Sequence, residues 1–241
     1  MLKKRIFHKE IIDDLEYGGP LLEENLKDME FLNRWLGYNR KLIGEIERIW
    51  KKYKRAWGKK KIRIVDMGCG SGDGLRGIMD WAKRKKCDCE LIGVDGNAYV
   101  VEYGKKRSKE YPEIKYYKED IMRSERNEKC GYDIIVLNNV CHHFSDEEVT
   151  NLVKGLGTGN CMAIIMNDIH RHFLAYWGMK VLGKVFRFSR LTQEDGLLSV
   201  RKGFKKKELE KILDPIGKMY EIRWKWPFRW QVTLWGEKNF N

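Results

Sequence analysis

The segment Ile64-Val-Asp-Met-Gly-Cys-Gly-Ser-Gly-Asp-Gly74 constrains what this chain can fold into more than any other. An apolar run that reads as a strand enters a turn with glycines at 68, 70, 72 and 74, and a helical pattern follows with Leu75, Ile78, Met79 and Ala82 on one face. Glycine costs conformational entropy wherever the chain is ordered, and a plain strand-to-helix turn needs only one. Four in seven residues imply a backbone that turns sharply and approaches a ligand with no Cβ in the way. Two phosphate-binding loops are excluded by spacing. The dinucleotide fingerprint GxGxxG would need glycine at 73 or 75, where Asp73 and Leu75 stand, and no Gly-Lys-Ser/Thr follows to make a phosphate loop.

Around this loop the pattern is one of short apolar runs alternating with helices, the signature of βαβ units and a parallel sheet. The expected strands are 62–66, 90–95, 114–117, 132–138 and 161–167. Ser145, with Glu148 three residues on, reads as a capping box that opens a helix. Upstream, Pro20 suits a first helical position and Gly37 divides two helices; in the second, Leu42, Ile46, Ile49 and Tyr53 form one buried stripe. Downstream, the apolar and aromatic stretch 170–188 is too long for a plain loop and is expected to be a helical lid, followed by a charged helix near Lys205–Leu213. The end of the chain alternates apolar residues at 222, 224, 226 and 228, with Pro227 marking a turn between two antiparallel strands. The fold class is therefore α/β, an open, doubly wound, mostly parallel sheet with an antiparallel C-terminal hairpin. Residues 1–58 are expected to be an N-terminal helical segment, and 59–241 the main domain with an insertion at about 169–202.

Composition narrows the partners. With 42% hydrophobic and 34% charged residues in a chain of 241, one substantial core is expected. No run of about 18 uncharged apolar residues occurs, so no membrane-spanning segment is expected, peripheral membrane contact stays open, and the expected location is cytoplasmic. The six cysteines, at 69, 87, 89, 130, 141 and 161, match neither a zinc pair nor a disulfide framework and read as free thiols. A formal charge of +13 invites nucleic acid, but the basic clusters at 51–62, 83–86, 105–109 and 201–207 are dispersed along the chain, as solvated helix faces are. Nucleic acid is not expected.

The run Val65-Asp-Met-Gly-Cys-Gly-Ser-Gly-Asp-Gly74 resembles the first motif of class I S-adenosylmethionine-dependent methyltransferases. Leu91-Ile-Gly-Val-Asp95 resembles that family's second strand, Glu119-Asp-Ile121 its adenine-contacting segment, and the stretch 133–144 its fourth strand and following loop, in the family's order. The stretches 167–172 and 199–204 are similar to a bacterial small-molecule subgroup acting on quinones and phenols. The resemblance implies S-adenosylmethionine as cofactor and S-adenosylhomocysteine as product. It places Asp66, Gly68, Gly70 and Gly72 around the amino-acid portion, Asp95 at the ribose, Asp120 and Ile121 at the adenine, and Asn138 beside the sulfonium.

Methyl transfer from a sulfonium is an in-line displacement that needs alignment and a dry site, and its chemistry requires no metal. Asn138-Asn-Val-Cys141 lacks the prolines found where this family methylates base amines. The expected acceptor is a small molecule, most simply a hydroxyl of an aromatic, quinol or polyketide-like compound. The alternatives are an RNA or protein methyltransferase, or a protein that binds the cofactor without turnover. A phenol-like hydroxyl, with a reference pKa of about 10, is helped by a base, and histidine at about 6.5 is the natural one. His143 is the first candidate and His170 the second, with Arg171, Tyr176 and Trp177 as expected substrate contacts. The oligomeric state is not legible in the sequence.

Overall fold

A computed structural model describes residues 2–57, 60–123, 131–157 and 161–236. Cys130 lies outside them; the other five cysteines are free thiols. The sheet is built around β1 (Ile62–Met67), whose Ile62, Ile64, Val65 and Met67 are all buried, as befits a central parallel strand covered on both faces. Parallel strands β2 (Cys89–Asp95) and β3 (Ile114–Lys118) flank it on one side, and β4 (Ile134–Asn138) and β5 (Ala163–Ile169) on the other. Antiparallel β7 (Arg229–Trp235) pairs with β5, and β6 (Tyr220–Lys225) closes the edge, giving the order β3-β2-β1-β4-β5-β7-β6. The chain reverses its direction across the sheet between β1 and β4, the point where open α/β sheets bind ligands.

Alternation along each strand divides the core between the two faces. On one face, Ile64, Leu91 and Ile134 pack with Leu42, Ile46 and Ile49 of α2 (Tyr38–Trp57) and Leu75 and Ile78 of α3 (Asp73–Lys85). On the other, Val65, Ile92 and Ile135 meet Val149 and Val153 of α5 (Asp146–Gly157) and Leu209 and Ile212 of α8 (Lys206–Leu213). The expected stripe of α2 therefore packs into the sheet's own core. The reciprocal box at α5 is present: Glu148 N donates to Ser145 Oγ at 3.2 Å, and Ser145 N to Glu148 Oε2 at 2.8 Å. Pro20 opens α1 (Pro20–Trp35), and Asn97 caps α4 (Ala98–Arg107) by accepting from Tyr99 N and Val100 N.

One detail differs from the sequence expectation. The stretch 170–188 holds a shorter helix, α6 (Phe173–Val185), capped by His172; the chain turns at Arg187, whose φ is 52°, and Ser189 caps a second helix, α7 (Arg190–Lys202). The C-terminal hairpin turns where Pro227 marked it: Trp226, Pro227 and Phe228 form the turn between antiparallel β6 and β7. No helix among the described residues is long and apolar enough to cross a membrane.

Candidate functional site

The carboxyl ends of β1, β2 and β4 open on a cavity of about 440 Å³. The glycine loop forms one wall, tied to β2 by Gly68 N and Cys69 N, which both donate to Val94 O. Its glycines serve different ends. Gly70, at φ 54°, has nothing within 4 Å of where a Cβ would stand, so its bare backbone faces open space. At Gly68 and Gly72, both at φ 76°, a Cβ would run into Val140 and into the Tyr116 hydroxyl. Gly68 and Gly70 line the cavity; Gly72 is instead the cap of α3, packed against Tyr116.

Carboxylates dominate the lining. Asp95 accepts Gly70 N and Asn97 N, each at 3.0 Å and on separate oxygens. Asp73 accepts the side-chain amides of Asn33 and Asn39 at 3.0 and 2.8 Å. Asp66 is 3% exposed, and its Oδ1 has no hydrogen-bond partner; Asn33 Oδ1 is likewise buried and unpartnered. Burial first, then the charges of Asp73 and Asp95, push the Asp66 carboxyl up to about 8. Burial raises Asp95 as well. Asp120, Ile121 and Asn138 complete the set expected at this cavity, and all three line it.

The remaining wall comes from a segment that the sequence reading left without a role. Ile12, Asp13 and Leu15, with Asn25 and Met29 of α1, cover the cavity. A second cavity of about 200 Å³ lies beyond them, walled by Leu32, Leu174, Met179, Leu182, Val200 and Phe228 among others. His143 lines both cavities, as do Ile12, Asn25, Met29, Asn33 and Asn139.

Glu10, His142 and His143, which line the second cavity, belong to a largely buried polar cluster. His143 Nδ1 donates to Asp13 Oδ1 at 2.5 Å. Burial opposes the Asp13 charge, but the hydrogen bond and charge of His143, with Lys202 and the Glu10 backbone N–H, hold this carboxyl well below its usual range. His142 Nδ1 donates to Asp168 Oδ1 at 2.7 Å; there too the histidine outweighs burial and lowers the carboxyl. Lys202, 1% exposed, lies 3.1 Å from both Glu10 Oε1 and Asp13 Oδ2. Burial raises Glu10, against the opposing pull of His143, Lys202 and Ser199. Glu10, His142 and His143 bring ligand-type atoms within 4.8 Å of one another. The Lys202 ammonium already supplies the cation there, so the grouping is built as an ion-pair network.

The other expected residues lie elsewhere. His170 lines neither cavity; its Nδ1 accepts from Trp224 Nε1 at 3.1 Å, and burial, with His172, Lys205 and Arg171, lowers it to about 4. Arg171 is buried and committed to Gly203 O, Leu2 O and Glu208, at 2.5 Å from the last. Tyr176 and Trp177 lie outside both linings, and Trp177 is 45% exposed. Sequence reasoning missed Glu10, Asp13 and Lys202; the lysine lies 189 residues from Asp13 along the chain and meets the two acids only in the fold.

Residues 64–170 match the model of a methyltransferase domain. No curated protein matches the chain in sequence. Among solved structures, the plantazolicin methyltransferase BpumL, in complex with a triazolic desmethylPZN analog and S-adenosylhomocysteine, superposes with a TM-score of 0.63 at 17% identity, covering 90% of this chain and 96% of that one. The magnesium protoporphyrin IX methyltransferase ChlM from Synechocystis PCC 6803, with bound S-adenosylhomocysteine, gives 0.54 at 14% identity, covering 86% and 87%. The methyltransferase domain of the citrinin polyketide synthase gives 0.54 at 14% identity, and the match spans 76% of this chain and 48% of that one. The motif order, the sheet order and the cavity at the carboxyl ends of β1 and β2 agree with these matches: the chain has the fold of these methyltransferases, and its residues 64–170 match a methyltransferase domain.

Proposed function

We propose that the chain transfers a methyl group to a hydroxyl of a small, largely apolar molecule, an aromatic, quinol or polyketide-like compound, with His143 as the base. The observation that carries this reading is that His143 lines both the acid-rich cavity and the apolar one, at the wall where a donor in the first would meet an acceptor in the second. The small-molecule enzymes among the structural neighbours support the same class of acceptor.

The first cavity suits S-adenosylmethionine. Asp66 Oδ1 and Asn33 Oδ1 are buried acceptors without donors, which an ammonium group would satisfy. Asp95 keeps lone pairs beyond those given to Gly70 and Asn97, enough to accept two ribose hydroxyls. Asp120 and Ile121 take the adenine end, and Asn138 the sulfonium end. When bound, the cofactor supplies an electrophilic methyl group.

The protein's own part is alignment and the proton. Leu174, Met179, Leu182 and Val200 hold the acceptor in an apolar space that excludes water. His143 takes the hydroxyl proton at Nε2, which has no hydrogen bond among the described residues, while Asp13 on Nδ1 fixes the tautomer and stabilises the charged ring. A screen of phenols and quinols with labelled methyl donor tests the activity, and His143→Ala tests the base. The expected result is a loss of about 10²-fold in turnover that shrinks as pH rises and the acceptor ionises unaided, with S-adenosylhomocysteine affinity unchanged. An unchanged rate and pH profile would remove His143 from the reaction.

A further inference from the structure

The outer face of α6 is the least expected surface of the molecule. Phe173, Trp177, Val181 and Val185, spaced four apart, are 61%, 45%, 55% and 65% exposed. They form a stripe along a helix of about 20 Å. The inner face of the same helix is spent on the second cavity, through Ala175, Met179 and Leu182. At the N-terminal end the stripe runs on through ring contacts, from His172 stacked on Phe228 to Trp226, which is 66% exposed. At the other end Phe186 packs edge-on against Phe31 and Trp35 of α1, themselves half open to solvent. A patch of this extent is unusual on a surface that meets only water.

Charge selects the occupant. From 169 to 193 the sequence contains no aspartate or glutamate, although the chain as a whole has 35. Lys180 and Lys184 rise from the outward arc of α6, with Arg187 just beyond; all three are exposed and in no ion pair among the described residues. Lys180 also lies 4.9 Å from the Trp177 ring. An acid-free helix with aromatic and aliphatic groups outward and lysines beside them is built to lie in the interface of a negatively charged bilayer. A second copy of this chain fits poorly, because a two-fold contact through the face would set the lysines of both copies together with no acid to answer them.

We propose that α6 and the adjoining β6–β7 turn dock on an anionic lipid surface. The proposal stands independently of the acceptor and of the base. The full chain is sedimented with extruded vesicles of phosphatidylcholine alone and of phosphatidylcholine mixed with phosphatidylglycerol. Sedimentation with the mixed vesicles that weakens with added salt, and little with the neutral ones, is expected. Lys180→Glu with Lys184→Glu should lower partitioning at least tenfold, and Phe173→Ser with Val181→Ser likewise. Both double variants replace exposed groups and should keep the wild-type melting temperature and S-adenosylhomocysteine affinity. Absence of wild-type protein from the anionic vesicle pellet overturns the proposal, as does partitioning unchanged in both variants. A soluble dimer or other protein complex that the Phe173→Ser/Val181→Ser variant disrupts, without vesicle binding, assigns the face to a protein partner and overturns it equally.

Discussion

Asp66 has a buried carboxyl with one oxygen unpartnered, and its charge is opposed by burial and by two neighbouring acids, so its folded-state pKa of about 8 lies far above that of the unfolded chain. Between these two values the folded protein binds the extra proton, and stability must fall as pH rises through the folded value. From about pH 6 to about pH 8, Asp66 should remove about 2 kcal/mol, or about 4–8 °C in Tm, from the cofactor-free protein. Asp66→Asn should flatten that slope in thermal melts, and a variant as pH-sensitive as wild type would show the burden to lie elsewhere. Asp95→Ala should weaken S-adenosylhomocysteine by about 1.5–3 kcal/mol in calorimetry, through loss of charge-assisted hydrogen bonds; equal affinities would take Asp95 out of the site. Both carboxylates were legible in the sequence, because an acid at the end of an apolar run before a glycine turn has one place to stand in an open sheet. The sequence put His143 first among its candidate bases from its place after the fourth strand alone, without the cavities it lines. What separates it from His142, 2% exposed and held by Asp168, is the path of the N-terminal segment, which no local pattern fixes.

At the scale of elements, the single-turn helix Ile11–Asp13 and α7 depend on each other. Asp195 of α7 accepts Ile11 N and Ile12 N at 3.2 and 3.4 Å, Ser199 Oγ donates to Glu10 at 2.9 Å, and Lys202 joins Glu10 to Asp13. Lys202→Met would leave the buried Glu10 carboxylate, and the half-buried one of Asp13, without their ammonium partner, at a cost of about 3 kcal/mol, and should lower Tm by about 6–12 °C in scanning calorimetry. An unchanged Tm would mean that this segment is held by its other bonds alone. Strong periodicity made β1, β2, β4, β5, α2 and α3 readable in advance. The boundary between α6 and α7 was not, because the chain turns at Arg187 with no glycine or proline to announce it. The turn of the C-terminal hairpin was readable, because Pro227 stands in it between the two antiparallel strands.

At the scale of the whole molecule, the buried sheet contrasts with a cover assembled from α1, α6, α7 and residues 2–19. The central strands are sealed on both faces, whereas α6 turns one face to solvent and the other to a cavity. Its amides should exchange with solvent faster than those of β1, β4 and β5, and slow when cofactor and acceptor are both present. Sheet-like protection without ligands would make α6 a fixed wall instead of a closing one. The six residues that line both cavities form a party wall, and this limits how the protein can diversify. A change at Met29 or Asn33 alters both cavities at once, so under the proposed function a gain in acceptor range there is tied to a change in cofactor affinity. Leu174, Met179, Leu182 and Val200 face the second cavity alone, so under the same proposal libraries aimed at new acceptors can vary them while the first cavity stays as it is.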